Sequence, residues 1–459
     1  MAKERKGSLS FLQLGEYGVG MFAMSFNQIL ISYYYLFFLT NVKGMNTALA
    51  GTLYTASNFL KIIAMLVPGT FIDKGFKKTG TYRTWYFIGS IGCFLFTGLM
   101  FLKLDIGDMA YFVFSVVMIL LGNIFYNLAW ISSRSVIGKM ARSTEDTTAL
   151  VVAADWGTRV AGLLTGYAMV WAINFFASNS QQYMFAEYAM SIFMIIVLPI
   201  FMHVTKPFEV GVEKAEAPAE AGEKKAAPVK EDKGDIRRSF TRPAIMYYLA
   251  ATFGCAQVSV FAPLMVYYTT YILNNPDAMA LATTMYNIGA FVGLFITPWL
   301  RKIFTNKILY GWITLICSVI YVTLLWIKDN GALFIANRTL VGIIITPTSP
   351  VMVALAADVG DWNEMKGISK ARGFVTSMMG TCIRLGLLLA STVVSVGLTA
   401  VGYDSSKGAP DEKTLRLILL FMAFGPAVCC ILCFLFMMLY NVDEKELSEW
   451  RLKRAAGEV

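Results

Sequence analysis

Charged side chains set inside apolar stretches are the residues best placed to do chemistry in this chain. A charge near the centre of a hydrocarbon layer costs roughly 3 kcal/mol or more unless it is paired or faces water. Lys61 stands in such a stretch and shares a helical face with Asn58 and Met65, at spacings of three, four and seven. Trp130 and Arg134 lie four apart, on one face with Asn127. Asp155 and Arg159 are also four apart, a spacing that lets them pair. Arg384 shares a face with Ser377 and Thr381, whereas Arg338 and Arg372 lie nearer the ends of their apolar runs. Acidic residues are scarcer there: Asp155 and Glu187, with Glu16 at the start of the first run. Three cations (Lys61, Arg134, Arg384) thus face one carboxylate, Asp155, and the excess should attract an anionic group. Arginine suits planar, bidentate recognition of such groups. Trp130 and Trp156 have faces on which a ring can stack. His203, the only histidine, lies at the end of its run and is poorly placed for a proton relay.

The elements that position these residues follow from composition. Hydrophobic residues are 57% of the chain and charged residues 15%, against roughly 25% charged in soluble domains. The apolar runs are continuous and do not alternate, which predicts helices, each long enough to cross a bilayer. Twelve spans are expected, near residues 11–40, 46–72, 85–103, 109–133, 146–177, 183–204, 241–273, 278–300, 308–328, 332–357, 371–402 and 414–440. Residues 205–240 are charged and rich in Ala, Pro, Glu and Lys, and read as a mobile linker. The expected architecture is an all-α membrane protein: a six-helix bundle over 1–204, the linker over 205–240, a second six-helix bundle over 241–440 and a tail over 441–459. The lipid bilayer is the partner this composition demands.

Charge distribution decides orientation. If both termini lie inside, the inside loops hold Lys74, Lys77, Lys78, Arg83, Lys139, Arg301, Lys302, Lys307, Arg451 and the linker's basic residues, while the outside loops hold Lys43, Lys103, Lys328, Lys407 and Lys413. That bias places both termini and the linker in the cytoplasm. It also accounts for the net charge of +9 without nucleic acid. The seven cysteines all fall in apolar segments without metal-ligand spacing, and read as buried thiols. The first apolar segment is too long and too aromatic for a cleaved signal. No nucleotide loop, metal cluster or nucleophile–base set is visible, so neither an enzyme nor a cofactor is expected.

Several loops are specific. Pro68-Gly69, Asp73 and Gly80-Thr81-Tyr82-Arg83-Thr84-Trp85 follow the second span, and Ala357-Asp358-Val359-Gly360-Asp361-Trp362-Asn363-Glu364-Met365-Lys366 follows the tenth. Tyr17-Gly18-Val19-Gly20, Thr40-Asn41-Val42-Lys43-Gly44 and Tyr267-Tyr268-Thr269-Thr270-Tyr271 complete the set. In order and spacing these resemble the glycoside–pentoside–hexuronide cation symporters, the melibiose-carrier family of the major facilitator superfamily. The resemblance implies two bundles that rock around a central site, in a carrier of small polar solutes that works as a monomer. It also implies a sodium site of carboxylates, which by motif counting falls on Ser25, Lys61, Met65 and Trp130; none is acidic. Sodium needs several oxygens, and Lys61 repels it. Arg134 falls where the family has a sugar-stacking tryptophan, and Arg384 where it has a basic residue.

Four readings of Lys61 stay open: a binder of an anionic solute such as a uronate or sulfonate, a fixed internal cation in place of sodium, a group that exchanges a proton with the medium, or a structural cation. Arg134 is either a ligand or a residue that reaches the interface. Asp73 and Arg83 after span two, with Asp361 after span ten, form either a charge-assisted cytoplasmic latch or solvated loops that set topology. The expected function is secondary active or facilitative transport of a small polar solute, a glycoside or anionic sugar derivative. The alternatives are an uncoupled or proton-coupled carrier of a neutral sugar, and a non-transporting sensor of the same fold. The substrate-facing set is Ser25, Asn58, Lys61, Trp130, Arg134, Asp155 and Arg384.

Overall fold

The protein is described here as a computed structural model covering residues 9–79, 81–141, 144–209, 233–369, 371–403 and 410–455. No strand occurs among these residues. In hydrocarbon every backbone N–H and C=O must be satisfied within the segment, and only the helix does this for a single run. The first half contains α1 (Phe11–Phe37), α2 (Thr47–Thr79), α3 (Tyr82–Leu99), α4 (Asp108–Ser135), α5 (Thr144–Phe175) and α6 (Gln182–Glu209). The second contains α7 (Arg242–Tyr267), α8 (Ala278–Ile303), α9 (Asn306–Val322), α10 in two parts (Gly331–Ile345 and Thr348–Met365), α11 (Arg372–Ala400), α12 (Glu412–Leu439) and a polar tail helix, α13 (Glu444–Ala455).

Nine of the described helical segments are long and apolar enough to cross a membrane. The others at expected spans are α2, α3 and α5, whose hydropathy is diluted by Asn58 and Lys61, by Tyr82 and Arg83, and by Asp155 and Arg159 respectively. Together they are consistent with the twelve-span layout. Large apolar side chains such as Trp171, Phe295 and Val396 remain more than half exposed on the helices, as a lipid-facing surface requires.

Two boundaries differ from expectation. α6 continues to Glu209, past the residue-204 limit, because Glu209 has partners in its own bundle, described below. A short helix, Lys233–Arg238, occupies the end of the expected linker. Residues 210–232 lie outside the described residues, as do the side chains of Met65 and Asp73.

The helices group into two compact units, one holding α1–α6 and the other α7–α13 apart from Met279–Thr284. In the first, α1 packs on α5, α2 on α4, and α3 on α4 and α6. Small residues permit the closest approach: a Cβ on Gly157 would run into the Gly18 carbonyl, and one on Gly18 into the Ala153 carbonyl. In the second, α7 packs on α11 and α12, and a Cβ on Gly386 would meet the Thr252 carbonyl.

Each unit repeats two devices. A buried tyrosine of the first helix ties it to the fourth: the Tyr17 hydroxyl donates to the Ser133 carbonyl at 3.0 Å, and that of Tyr247 donates to the Met352 carbonyl at 2.9 Å. Each first helix also ends in a π-helical turn, Phe38–Val42 and Tyr268–Ile272. The seven cysteines are free thiols, all buried except the half-buried Cys255.

Candidate functional site

Of the residues expected to line a site, most lie on α1, α2, α4 and α5 of the first unit. Lys61 is half-buried on α2 and makes no hydrogen bond or ion pair with the described residues. Asn58, one turn before it, is buried and donates to the Tyr54 carbonyl at 3.3 Å. α2 packs on α4, which carries Trp130 and Arg134. Their four-residue spacing brings the Arg134 guanidinium to 5.5 Å from the Trp130 ring, a cation–π contact. The Arg134 Nε is enclosed yet has no hydrogen-bond partner. On α1 the Ser25 hydroxyl lies 2.9 Å from the Met21 carbonyl and 3.2 Å from the Thr158 hydroxyl of α5, two acceptors for its one hydrogen.

The structure thus brings Trp130 to Arg134, and Ser25 to α5. It does not form the expected Asp155–Arg159 pair. Asp155 is exposed, and no ion pair joins it to Arg159. Four-residue spacing permits a contact, but an exposed carboxylate gains little from it. Arg384 is half-buried on α11 of the second unit. Trp156 is exposed and lines an apolar groove between α1 and α5 with Gly18, Phe22 and Gly157. His203, at the linker-side end of α6, lies 3.7 Å from Glu16 of α1.

A polar cluster inside the first unit escaped the sequence reading. The Asn27 amide nitrogen of α1 lies 3.0 Å from the Glu187 carboxyl, 2.7 Å from the Ser191 hydroxyl and 3.0 Å from the Thr97 hydroxyl, three acceptors that share its two hydrogens. Ser191 donates to the same Glu187 oxygen at 2.8 Å, and the Cys93 thiol donates to the Asn27 oxygen at 3.3 Å. All five residues are buried. Such interhelical bonds are worth roughly 0.6 kcal/mol each and at most about 1.7; here they tie α1 to α3 and α6.

The residues expected to latch the linker-side ends find partners within their own units. Arg83 approaches Glu209 at 3.8 Å, and the Glu209 carboxylate also accepts the Tyr82 backbone N–H at 2.7 Å. Asp361 accepts from Arg451 Nε at 2.6 Å, and Asp358 accepts from Arg451 Nη2 at 2.9 Å. Lys366 pairs with Glu446 at 2.6 Å, so the tail helix is clamped to the end of α10. Partial burial lowers the Arg451 pKa, but the hydrogen bonds to Asp361 and Asp358 outweigh it and hold the guanidinium above its ordinary value. Glu209 and Arg451 were missed because they lie 126 and 90 residues from their partners; the only local hint was the charged helical pattern after Tyr440.

Arg451→Ala should free the tail. The two bonds are charge-assisted, but the arginine side chain is 42% exposed, so about 1–2 kcal/mol is at stake. Tryptic cleavage at Lys453 is expected to accelerate on the order of tenfold, read by mass spectrometry of the folded protein.

A profile of the MFS/sugar transport protein family, the glycoside–pentoside–hexuronide carriers, matches residues 16–444. The chain belongs to this family. The inner membrane symporter YicJ of Escherichia coli (strain K12) is 22% identical over 91% of this chain and 88% of its own. A protein of Salmonella typhimurium, provisionally named a sulfoquinovose importer, is 20% identical over 96% of this chain and 92% of its own. Among solved structures, the crystal structure of a D-xylose-proton symporter superposes with a TM-score of 0.64 at 14% identity, covering 95% of this chain and 99% of that one; it shares the fold. The protein is therefore a multi-pass membrane transporter of small molecules and not an enzyme. The major facilitator architecture expected from the loops is the one found.

Proposed function

We propose that this transporter carries an anionic sugar derivative, a uronate or sulfonate, by alternating access, with Lys61, Arg134 and Arg384 supplying the positive charge. The observation that carries this reading is Lys61: a cation inside a membrane helix with no acidic partner among the described residues, on a helix packed against the one that holds Arg134 over Trp130. A charge in that setting persists when a ligand repays its desolvation. Ser25, Asn58, Trp130 and Asp155 complete the proposed lining. The sulfonated sugar in the name of the Salmonella relative favours the same class.

A second reading rests on the same residue. Lys61 stands where the family's sodium carboxylate belongs, so it acts as a built-in counterpart of the coupling ion, and the solute is a neutral sugar, moved without coupling or with protons. In either reading both termini face the cytoplasm, in keeping with the basic inside loops. The Arg83–Glu209 and Arg451–Asp361 contacts, each within one unit, then brace the cytoplasmic ends of the bundles, Asp73, Arg83 and Asp361 remain the proposed latch residues, and the carrier works as a monomer in the cell membrane.

Flux into proteoliposomes separates the readings. Radiolabelled glucuronate and xylose are tested with and without sodium and proton gradients, in wild type, Lys61→Ala and Arg384→Ala. Uptake of glucuronate well above that of xylose, with the preference lost in both variants, supports the basic site. Equal uptake of both, with Lys61→Ala changing only the gradient dependence, replaces it with the second reading.

A further inference from the structure

A fully buried cation lies in the α7–α13 unit, outside the set above. Arg338 of α10 is only 5% exposed. The Phe261 ring of α7 lies 4.0 Å from its guanidinium carbon, and the Tyr286 ring of α8 lies 4.9 Å away. These rings stabilise the cation through their π faces, but π faces do not satisfy the N–H groups of the guanidinium. Nε and Nη1 are enclosed and have no hydrogen-bond partner, and no ion pair to Arg338 occurs among the described residues. Its neighbours add to the imbalance. Phe261 also packs on Tyr321, at 5.4 Å between rings. The Tyr321 hydroxyl donates to the Gln257 oxygen at 2.6 Å, which leaves the buried Gln257 Nε2 as a further donor without an acceptor. Gln257 lies one helical turn before Phe261 on the same face of α7.

Unused donors on a caged, uncompensated cation call for an acceptor that carries negative charge and several oxygens. Carboxylate and sulfonate have that chemistry, and arginine's fixed fork matches it. We propose that Arg338, with Gln257 beside it and Phe261 and Tyr286 holding it in place, binds the carboxylate or sulfonate of the transported solute. This rests on the anionic-solute reading above and assigns that anion to a residue of α10. Since the site is closed here, it takes its ligand in a state of the transport cycle that opens it.

The test uses full-length protein in proteoliposomes, with glucuronate and sulfoquinovose as anionic probes and xylose as the neutral one. Arg338→Gln, Arg338→Lys and Gln257→Met are compared with wild type, and each variant's unfolding midpoint in detergent is measured first. The expected result is a fall of about tenfold or more in the glucuronate-to-xylose ratio of kcat/KM for Arg338→Gln. It should appear mainly as a higher KM for glucuronate and be partly restored in Arg338→Lys. If Arg338→Gln does not fold, Gln257→Met carries the test, with the same ratio falling several-fold. An unchanged ratio in the folded variants overturns the assignment, and so does an equal loss of both probes. If Lys61→Ala abolishes glucuronate uptake while Arg338→Gln keeps the wild-type ratio, the proposed function stands and this site alone fails. Wild type that moves xylose only overturns both. In that case, chloride raising the unfolding midpoint of wild type but not of Arg338→Gln identifies a resident inorganic anion as the occupant.

Discussion

Replacing Gly157 with leucine is expected to leave no monodisperse transporter in detergent extracts, while Gly15→Ala in the same bundle is recovered at or above wild-type yield. The two glycines have opposite surroundings. A Cβ at Gly157 would overlap the Gly18 carbonyl and crowd the Phe22 backbone N–H, whereas at Gly15 nothing lies within 4 Å. A clash with a flexible side chain can relax. A clash with backbone forces the helices apart, and α1 and α5 then lose the contact that the Gly18 carbonyl and Ala153 line. Overpacking typically costs 1–3 kcal/mol, and occasionally more. The leucine adds further atoms against a backbone neighbour, so about 3 kcal/mol or more is expected, a large part of a typical 5–15 kcal/mol stability. Gly15→Ala instead gains roughly 1 kcal/mol of helix propensity. Fluorescence size-exclusion chromatography of fusions reads both. A monodisperse Gly157→Leu peak with a wild-type midpoint would mean the α1–α5 contact is not close-packed in the folded protein.

Lys61→Glu should lower kcat/KM for glucuronate on the order of a thousandfold. At an effective dielectric constant near 20, two unit charges about 4 Å apart interact by roughly 4 kcal/mol, and each 1.4 kcal/mol is tenfold. Reversal removes the attraction and adds repulsion, so the figure is a lower bound if Lys61 touches the solute's anion. The variant also restores a carboxylate where the family's pattern has one. Should it transport glucuronate normally and acquire sodium dependence, Lys61 is the internal stand-in for the coupling ion. Initial rates in proteoliposomes, with sodium exchanged for choline, distinguish the two outcomes.

Much of the fold was legible because lipid imposes one rule on every residue of a span. The continuous apolar runs gave the positions of α1–α12, and the loop motifs gave the superfamily. The exact ends were less visible. α6 runs on to Glu209 because that carboxylate is held by the Tyr82 backbone and Arg83 across the bundle, and no local pattern announces a partner so distant. The same limit hid the Arg451 clamp. Spacing succeeded for Trp130 and Arg134 and failed for Asp155 and Arg159, where the exposure of Asp155 weakens the reason to pair. Arg338 looked terminal in the sequence because it lies only seven residues into α10. Burial is set by what surrounds a helix and not by depth along it, and Phe261 and Tyr286 enclose it. Asn27 and Glu187 were similarly hidden: they lie 160 residues apart, and only packing of α1 against α6 makes them a pair.

The enclosed cysteines have a practical consequence for spectroscopy. Six of the seven thiols are buried, and only Cys255 is partly accessible. Alkylation requires an accessible thiolate, so a thiol-specific spin or fluorescent label added to the folded protein should pass over most native positions. Cysteines introduced on exposed helix ends can then be labelled after a single native replacement at Cys255. Distance changes through the transport cycle can be recorded on a chain whose native interior packing is otherwise untouched.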